Sequence, residues 1–507
     1  MSGSTVAWLE SDPPSGTVRL WTLQSRGPVC VSPPELSIRS TVNGYGGGAL
    51  CLRQACAYAV DSQSRQIFAI ACDTGRCRQL THERNSLFGG LVDDPARERL
   101  LAVRELNHAD DVKTQQLVAI STRDGSVSVL VAGEDFYGAP ALSEGGDRMA
   151  WITWSLPDMP WLRTRLWMAN VGRDGDLQAP WPCPPPSEAA IQQPRFADGE
   201  LWAVSDHQGW WQPYRLELDG ETARWHRAPC DALDYANAPW QLGEQHHVPL
   251  DQGGWARVCY RHGLGELWVT ASPSARAVRL ARAYTDFRAL QVRDGTIICI
   301  GRRVDALDSI LSIDPGTGAV RVLAGGEEPL AGGTCVRPEP FDFPAEDGQT
   351  VGGFVYSPPA PGTGSGTPPL IVMVHGGPSS AAYATFDPQV QFWCQHGFAV
   401  AAVNHRGSTG AGRAFRLALA GRWGDIEVTD VCQAAGALAD RGLARRDRMF
   451  IQGRSAGGFT VLLALIRGGV FRAGASLFGV SDPDRLRALT HRFESGYLDW
   501  LLGDPQT

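Results

Sequence analysis

Ser455 is the residue of this sequence with the most chemistry arranged around it. It stands in Gly453-Arg-Ser-Ala-Gly457, a G-x-S-x-G spacing, between the apolar run 449–451 and an apolar stretch that stops at Gly468-Gly469. That order predicts a buried strand, a sharp turn and a helix from about 456 to 467. Gly453 and Gly457 leave the chain room to fold back, so the Ser455 hydroxyl is held exposed at a strained tip, as a nucleophile elbow requires. The helix behind it aims N–H groups and a partial positive charge at any oxyanion formed there. A second piece serves the same chemistry. His375-Gly-Gly-Pro378 follows the apolar run 370–374, and the Gly377 N–H is expected to join that of Ala456 as an oxyanion hole. The chemistry these residues suit is acyl transfer through Ser455.

Such residues need a sheet to hold them. Apolar strands are expected at 341–345, 351–356, 370–374, 398–403, 449–451 and 473–478, with helices at 388–396 and 425–441 between them. Strands alternating with helices of this length make an open α/β sheet. Upstream the pattern is different. Short period-2 runs and turns rich in Asp, Gly or Pro fall into blocks near 5–24, 41–83, 87–131, 136–180, 189–225, 238–280 and 285–324. A period in the forties with several strands per block predicts a β-propeller of about seven blades, its first block short. The expected domains are 1–330, a substrate-gating propeller, and 331–507, the α/β domain. Aromatic pieces such as Trp151 to Trp161 are expected mainly to pack between blades, and no propeller residue is given a catalytic role.

Composition bounds the partners. A chain of 507 residues, 43% hydrophobic and 20% charged, is an ordinary globular protein of two or more domains. A net charge of −8 without dense basic runs argues against nucleic acid. No membrane span and no signal peptide is visible. The 12 cysteines are mostly scattered singly, as suits free thiols in a reducing, cytoplasmic setting. Cys51, Cys56, Cys72 and Cys77 resemble a zinc spacing only loosely, so ordinary strand positions are expected, with Cys72 and Cys77 facing each other across a hairpin. Neither metal nor cofactor is expected.

With a propeller first and a hydrolase second, the sequence resembles the prolyl oligopeptidase family of serine peptidases, most closely its acylaminoacyl-peptidase-like branch. The carriers are His375-Gly-Gly-Pro, Asn404-His-Arg-Gly-Ser-Thr-Gly, Trp423-Gly-Asp, the Ser455 elbow, His491-Arg-Phe-Glu-Ser and Tyr45-Gly-Gly-Gly-Ala. His405 and Arg454 stand where this branch commonly carries tyrosine and glycine. The resemblance implies an α/β-hydrolase domain capped by the propeller, acting on short or acylated peptides through an acyl-enzyme on Ser455. No paired-glutamate motif of the dipeptidyl-peptidase kind is present, so action on free N-termini is not expected. The triad order in such a sheet is Ser, then Asp or Glu, then His, and the substitutes near Ser455 are Asp482, Asp499 and His491, without the two further strands whose loops carry the acid and base in this family. The hydrolase domain therefore reads as truncated after the elbow, with the triad Asp and His expected beyond residue 507 and these residues alone nearly inactive. His491 is not assigned as the base, because it belongs to a segment shared with relatives that also possess the later histidine. An esterase-like acyl hydrolase and an inactive peptide-binding propeller are the alternatives. A homo-oligomer is compatible with the sequence.

Overall fold

The computed structural model describes residues 5–109, 112–220, 222–329, 335–359 and 366–503. Seven antiparallel sheets follow one another, spanning 7–30, 50–79, 86–132, 136–182, 191–227, 247–280 and 286–325. The first has three strands, the fourth five and the others four, with consecutive strands paired in nearly every case. Strand Val320–Gly325 packs beside Gly27–Cys30, so the seventh sheet meets the first and the ring closes as a seven-bladed propeller. Period-2 alternation builds it. Along Arg99–Asn107, Leu100 and Ala102 enter the core shared with the second blade, while Leu101 and Val103 enter the core shared with the fourth. The Cys72–Cys77 expectation is corrected here. Cys77 pairs with Ile70 and Cys56 with Ala71, so Cys72 lies past the end of that register. All four cysteines pack in the core around the second blade.

The second unit is a six-stranded sheet of β1 (Glu339–Pro344), β2 (Thr350–Tyr356), β3 (Leu370–Val374), β4 (Ala399–Asn404), β5 (Met449–Arg454) and β6 (Ala473–Leu477), in spatial order 1-2-4-3-5-6. The first two pairings are antiparallel and the rest parallel. Helix α1 (Pro388–Gln395) covers one face through Val390 and Cys394, packed with Phe354 and Val400. Helices α3 (Ile426–Asp440) and α4 (Ala456–Arg467) cover the other, where Val431, Leu438 and Val461 meet Val372, Ala401 and Ile451. This is an α/β-hydrolase sheet after a propeller. The expected 330/331 boundary lies outside the described residues. No helix among the described residues is long and apolar enough to cross a membrane.

One short helix was not expected, α2 (Arg413–Leu417), and it docks the two units. Its Arg416 is fully buried, stacks 3.6 Å over Trp211 of the fifth blade and pairs with Asp206. Asp206 also receives Arg413 at 2.9 Å, and the nearby Asp234 accepts from the N–H groups of Trp211 and Gly412, each at 2.8 Å. Removing one partner of a buried ion pair leaves charge without compensation. Arg416→Ala is therefore expected to cost about 3 kcal/mol, read as a lowered Tm. A variant melting like the wild type would show that this cluster does not hold the units together.

Candidate active site

The elbow is built by close approach. Ser455 has φ 51° and ψ −120°, a conformation side chains rarely adopt, and it immediately precedes α4. A Cβ on Gly453 would strike the Gly457 carbonyl, and one on Gly457 would lie 2.6 Å from the His375 carbonyl oxygen. Both glycines are thus demanded by space. The Ser455 carbonyl accepts from the N–H groups of Gly458 at 2.9 Å, Phe459 at 3.3 Å and Val480 at 3.3 Å, which hold the strained turn. Its side chain is exposed.

The loop after β3 lies against this tip. A Cβ on Gly376 would sit 3.6 Å from Ser455 Cβ. Gly377 has φ +122°, and its N–H, like that of Ala456, donates to no described residue. Ala456 opens α4, where an N–H has no preceding carbonyl to reach. Ser455, Ala456 and Gly377 line one cavity of about 700 Å³. The loop is braced from outside. Trp240 of the propeller donates from Nε1 to the Ser379 carbonyl at 2.9 Å, and the Tyr497 hydroxyl donates to Ser379 Oγ at 2.8 Å.

His375 and His405 are not poised for proton transfer to Ser455. Their rings stack at 4.5 Å, and His375 Nδ1 and Nε2 lie 2.8 Å from the Gly376 carbonyl and Ser408 Oγ. Burial, then the neighbouring His405, pushes His375 down to about 3, and burial pushes His405 down to about 4. His491 packs on Gly44, edge-on to Tyr45 at 5.4 Å, and does not line the cavity.

Among the cavity residues given no role from the sequence are Tyr45, Trp240 and Glu494. The Tyr45 hydroxyl donates to Glu494 Oε1 at 2.6 Å, Thr490 Oγ1 donates to Oε2 at 3.0 Å, and His491 Nε2 stands 3.6 Å from Oε2. Burial and then the Glu494 carboxylate push the Tyr45 phenol above its usual range. Tyr45 and Trp240 meet edge to face at 4.9 Å. The available signal was the run Gly46-Gly47-Gly48. All three have positive φ and lie against Ser40, Leu242 and Gly90, so the run exists to seat the Tyr45 loop between blades.

Residues 384–506 match the prolyl oligopeptidase family model. The chain carries a prolyl oligopeptidase family domain. Dipeptidyl aminopeptidase BIII of Pseudoxanthomonas mexicana is 27% identical over 203 residues, 38% of this chain and 30% of that enzyme. The acylamino-acid-releasing enzyme of Sus scrofa is 38% identical over 91 residues, 18% of this chain and 12% of that enzyme. The matched stretches thus span less than a third of either relative's length. Among solved structures, puromycin hydrolase is 29% identical with a TM-score of 0.93, covering 100% of this chain and 81% of that one. A puromycin-hydrolyzing peptidase of Mycobacterium tuberculosis is also 29% identical, with a TM-score of 0.92 over 100% of this chain and 80% of that one.

The Trp423-Gly-Asp piece supports the elbow helix from below. Trp423 packs on Phe459 of α4 at 4.5 Å, and the Gly424 N–H donates to the Glu427 carboxyl at 2.8 Å. Burial pushes Glu427 up to about 7 from an ordinary 4.5. The folded state then keeps a proton that the unfolded chain has lost. Its stabilisation is full below 4.5 and declines as pH rises to about 7, by about 1.4 kcal/mol per pH unit. Glu427→Gln should flatten the fall of Tm between about pH 5 and 7. An unchanged slope would mean that Glu427 is ionised in the folded state throughout.

Proposed function

We propose that this chain supplies the nucleophile, oxyanion hole and substrate gate of a serine peptidase acting on short peptides. The observation that carries the reading is the convergence of Ser455 Oγ with two undonated N–H groups under an aromatic wall from the propeller. Ser455 Oγ adds to the scissile carbonyl, and the oxygen, now negative, is held by the Gly377 and Ala456 N–H groups and the α4 N-terminus. The amine leaves with a proton, and water then releases the acyl group from Ser455. The base is proposed to be a histidine, oriented by an Asp. His375, His405 and His491 are engaged in other contacts and are not given that role. Tyr45 and Trp240 narrow the approach, which favours short or unfolded peptides over folded protein and gives no reason to prefer small esters. The setting is proposed to be cytoplasmic.

Glu494 decides between a free and an acylated substrate terminus. Among the described residues its carboxylate lines the cavity without an arginine or lysine partner, since the adjacent Arg492 is turned to Asp135 of the propeller. An α-ammonium group complements that site and an acylated terminus leaves it unmatched. This favours free N-termini, against the expectation from the sequence, and agrees with the aminopeptidase name of one relative.

Two measurements test the proposal. A fluorophosphonate probe should label these residues slowly, and Ser455→Ala should abolish the labelling. Strong labelling lost in His491→Ala would assign the base to His491 instead. In the Ser455→Ala background, a tripeptide with a free amine should bind about tenfold tighter than its N-acetyl form, and Glu494→Gln should erase the difference. Equal affinity of the two peptides for the Ser455→Ala protein would remove Glu494 from recognition.

A further inference from the structure

The fifth and sixth blades face each other through side chains that no other function so far explains. Strand register places Arg195, Trp202 and Arg215 side by side on the fifth blade. It places His247, Arg257 and Trp268 side by side on the sixth, with Trp255 two positions from Arg257 and so on the same face. Trp202 and Trp255 meet across the gap at 4.7 Å. A cleft of about 700 Å³ opens there and shares no lining residue with the Ser455 cavity.

Arg257 is the anomaly in this cleft. It is 7% exposed, its Nε has no partner, and its guanidinium neither donates a hydrogen bond nor meets a carboxylate among the described residues. Of the cleft's carboxylates, Glu200 pairs with Arg215 and Asp231 with Arg261, and Asp198 forms no ion pair with Arg257. Arg257 has only the ring faces of Trp255 and Trp202, at 5.1 and 5.8 Å. Burial lowers it to about 10, so it is charged at neutral pH. A buried charge without a counter-ion is costly, and contact with rings returns only part of that cost.

We propose that the cleft binds an aromatic carboxylate. The carboxylate supplies the missing counter-charge, two oxygens against the guanidinium fork, and the ring lies against Trp202 and Trp255. Glu200, Asp198 and Asp231 in the same lining disfavour a phosphate dianion. The ligand chemistry has two sources, a free aromatic acid and the C-terminal aromatic residue of a peptide.

Calorimetric titration of the 507-residue protein with phenylacetate, N-acetyl-L-phenylalanine and N-acetyl-L-phenylalaninamide tests this. At least one acid should bind tenfold or more tighter than the amide, about 1.4 kcal/mol or more, and Arg257→Met should abolish the difference. Phenylacetate binding alone assigns free acids, and binding of the N-acetyl acid alone assigns peptide C-termini. Arg257→Met removes an uncompensated charge and keeps an unbranched stem, so it should melt no lower than the wild type. Should it fail to fold, the acid–amide comparison in the wild type and in Trp202→Leu decides. Equal heats for acid and amide, no heat from either acid at millimolar concentration, or acid binding that survives the substitution overturns the proposal.

Discussion

The approach of Gly457 to the carbonyls of Val374 and His375 is the constraint on which the α/β half of the molecule depends. It presses the start of α4 against the end of β3, which the parallel register has already set beside β5, Val374 opposite Gly453. Once these backbones touch, the residues after β3 and those after β5 have one place to go, and Gly376, Gly377, Ser455 and Ala456 meet there. The strain at Ser455, on the order of 1–3 kcal/mol for such a conformation, is carried by three N–H groups on a single carbonyl. A side chain at either elbow glycine would break the contact before it disturbed any hydrogen bond.

The propeller does more than cover this site. Phe136, Trp154, Trp161 and Trp211 from the fourth and fifth blades share one apolar cluster with Trp423, Phe459, Phe493 and Tyr497 of the hydrolase unit. Trp161 touches both Trp240 at 4.3 Å and Tyr497 at 5.4 Å, the two residues that brace Ser379. The loop that carries Gly377 is therefore fixed by an aromatic network that crosses between units. Any rotation of the propeller would draw on Ser379 through Trp240 Nε1, so the geometry of the Gly377 loop and the position of the propeller are mechanically linked. Arg492, paired with Asp135 and lying 4.7 Å over Phe136, holds the Glu494 segment to the same rim.

What could be read from the sequence is what short stretches determine by themselves. The elbow needs only a strand, two glycines and a helix, and α4 begins and ends at the expected Ala456 and Arg467. Blade spacing is legible because each blade repeats the same alternation. Residues whose role depends on partners hundreds of positions away are not. Tyr45 and Glu494 are 449 positions apart, and although each stands in a recognisable motif, nothing local shows that the two meet. Residues 483–502 form two separate α-helices, Pro483–Leu489 and Tyr497–Leu502. Gly496 lies so close to Pro157 of the fourth blade that a Cβ would collide, which makes the break a product of docking.

Two buried arginines show two different ways in which the chain treats buried charge. Arg416 and Arg257 both lie over tryptophan in the interior of the fold. For Arg416 the chain provides Asp206 directly and Asp234 within electrostatic reach, and it adds Arg413 to the same cluster. The charge is paired and the cluster is structural. For Arg257 it provides rings, a cleft and no carboxylate, although Glu200 and Asp231 line the same cleft and are given to Arg215 and Arg261 instead. A packing role would be filled as well by a methionine or leucine, without the cost of desolvating a guanidinium. Local rules of burial are kept at one site and broken at the other, and breaks of that kind concentrate where a fold does something besides hold itself together.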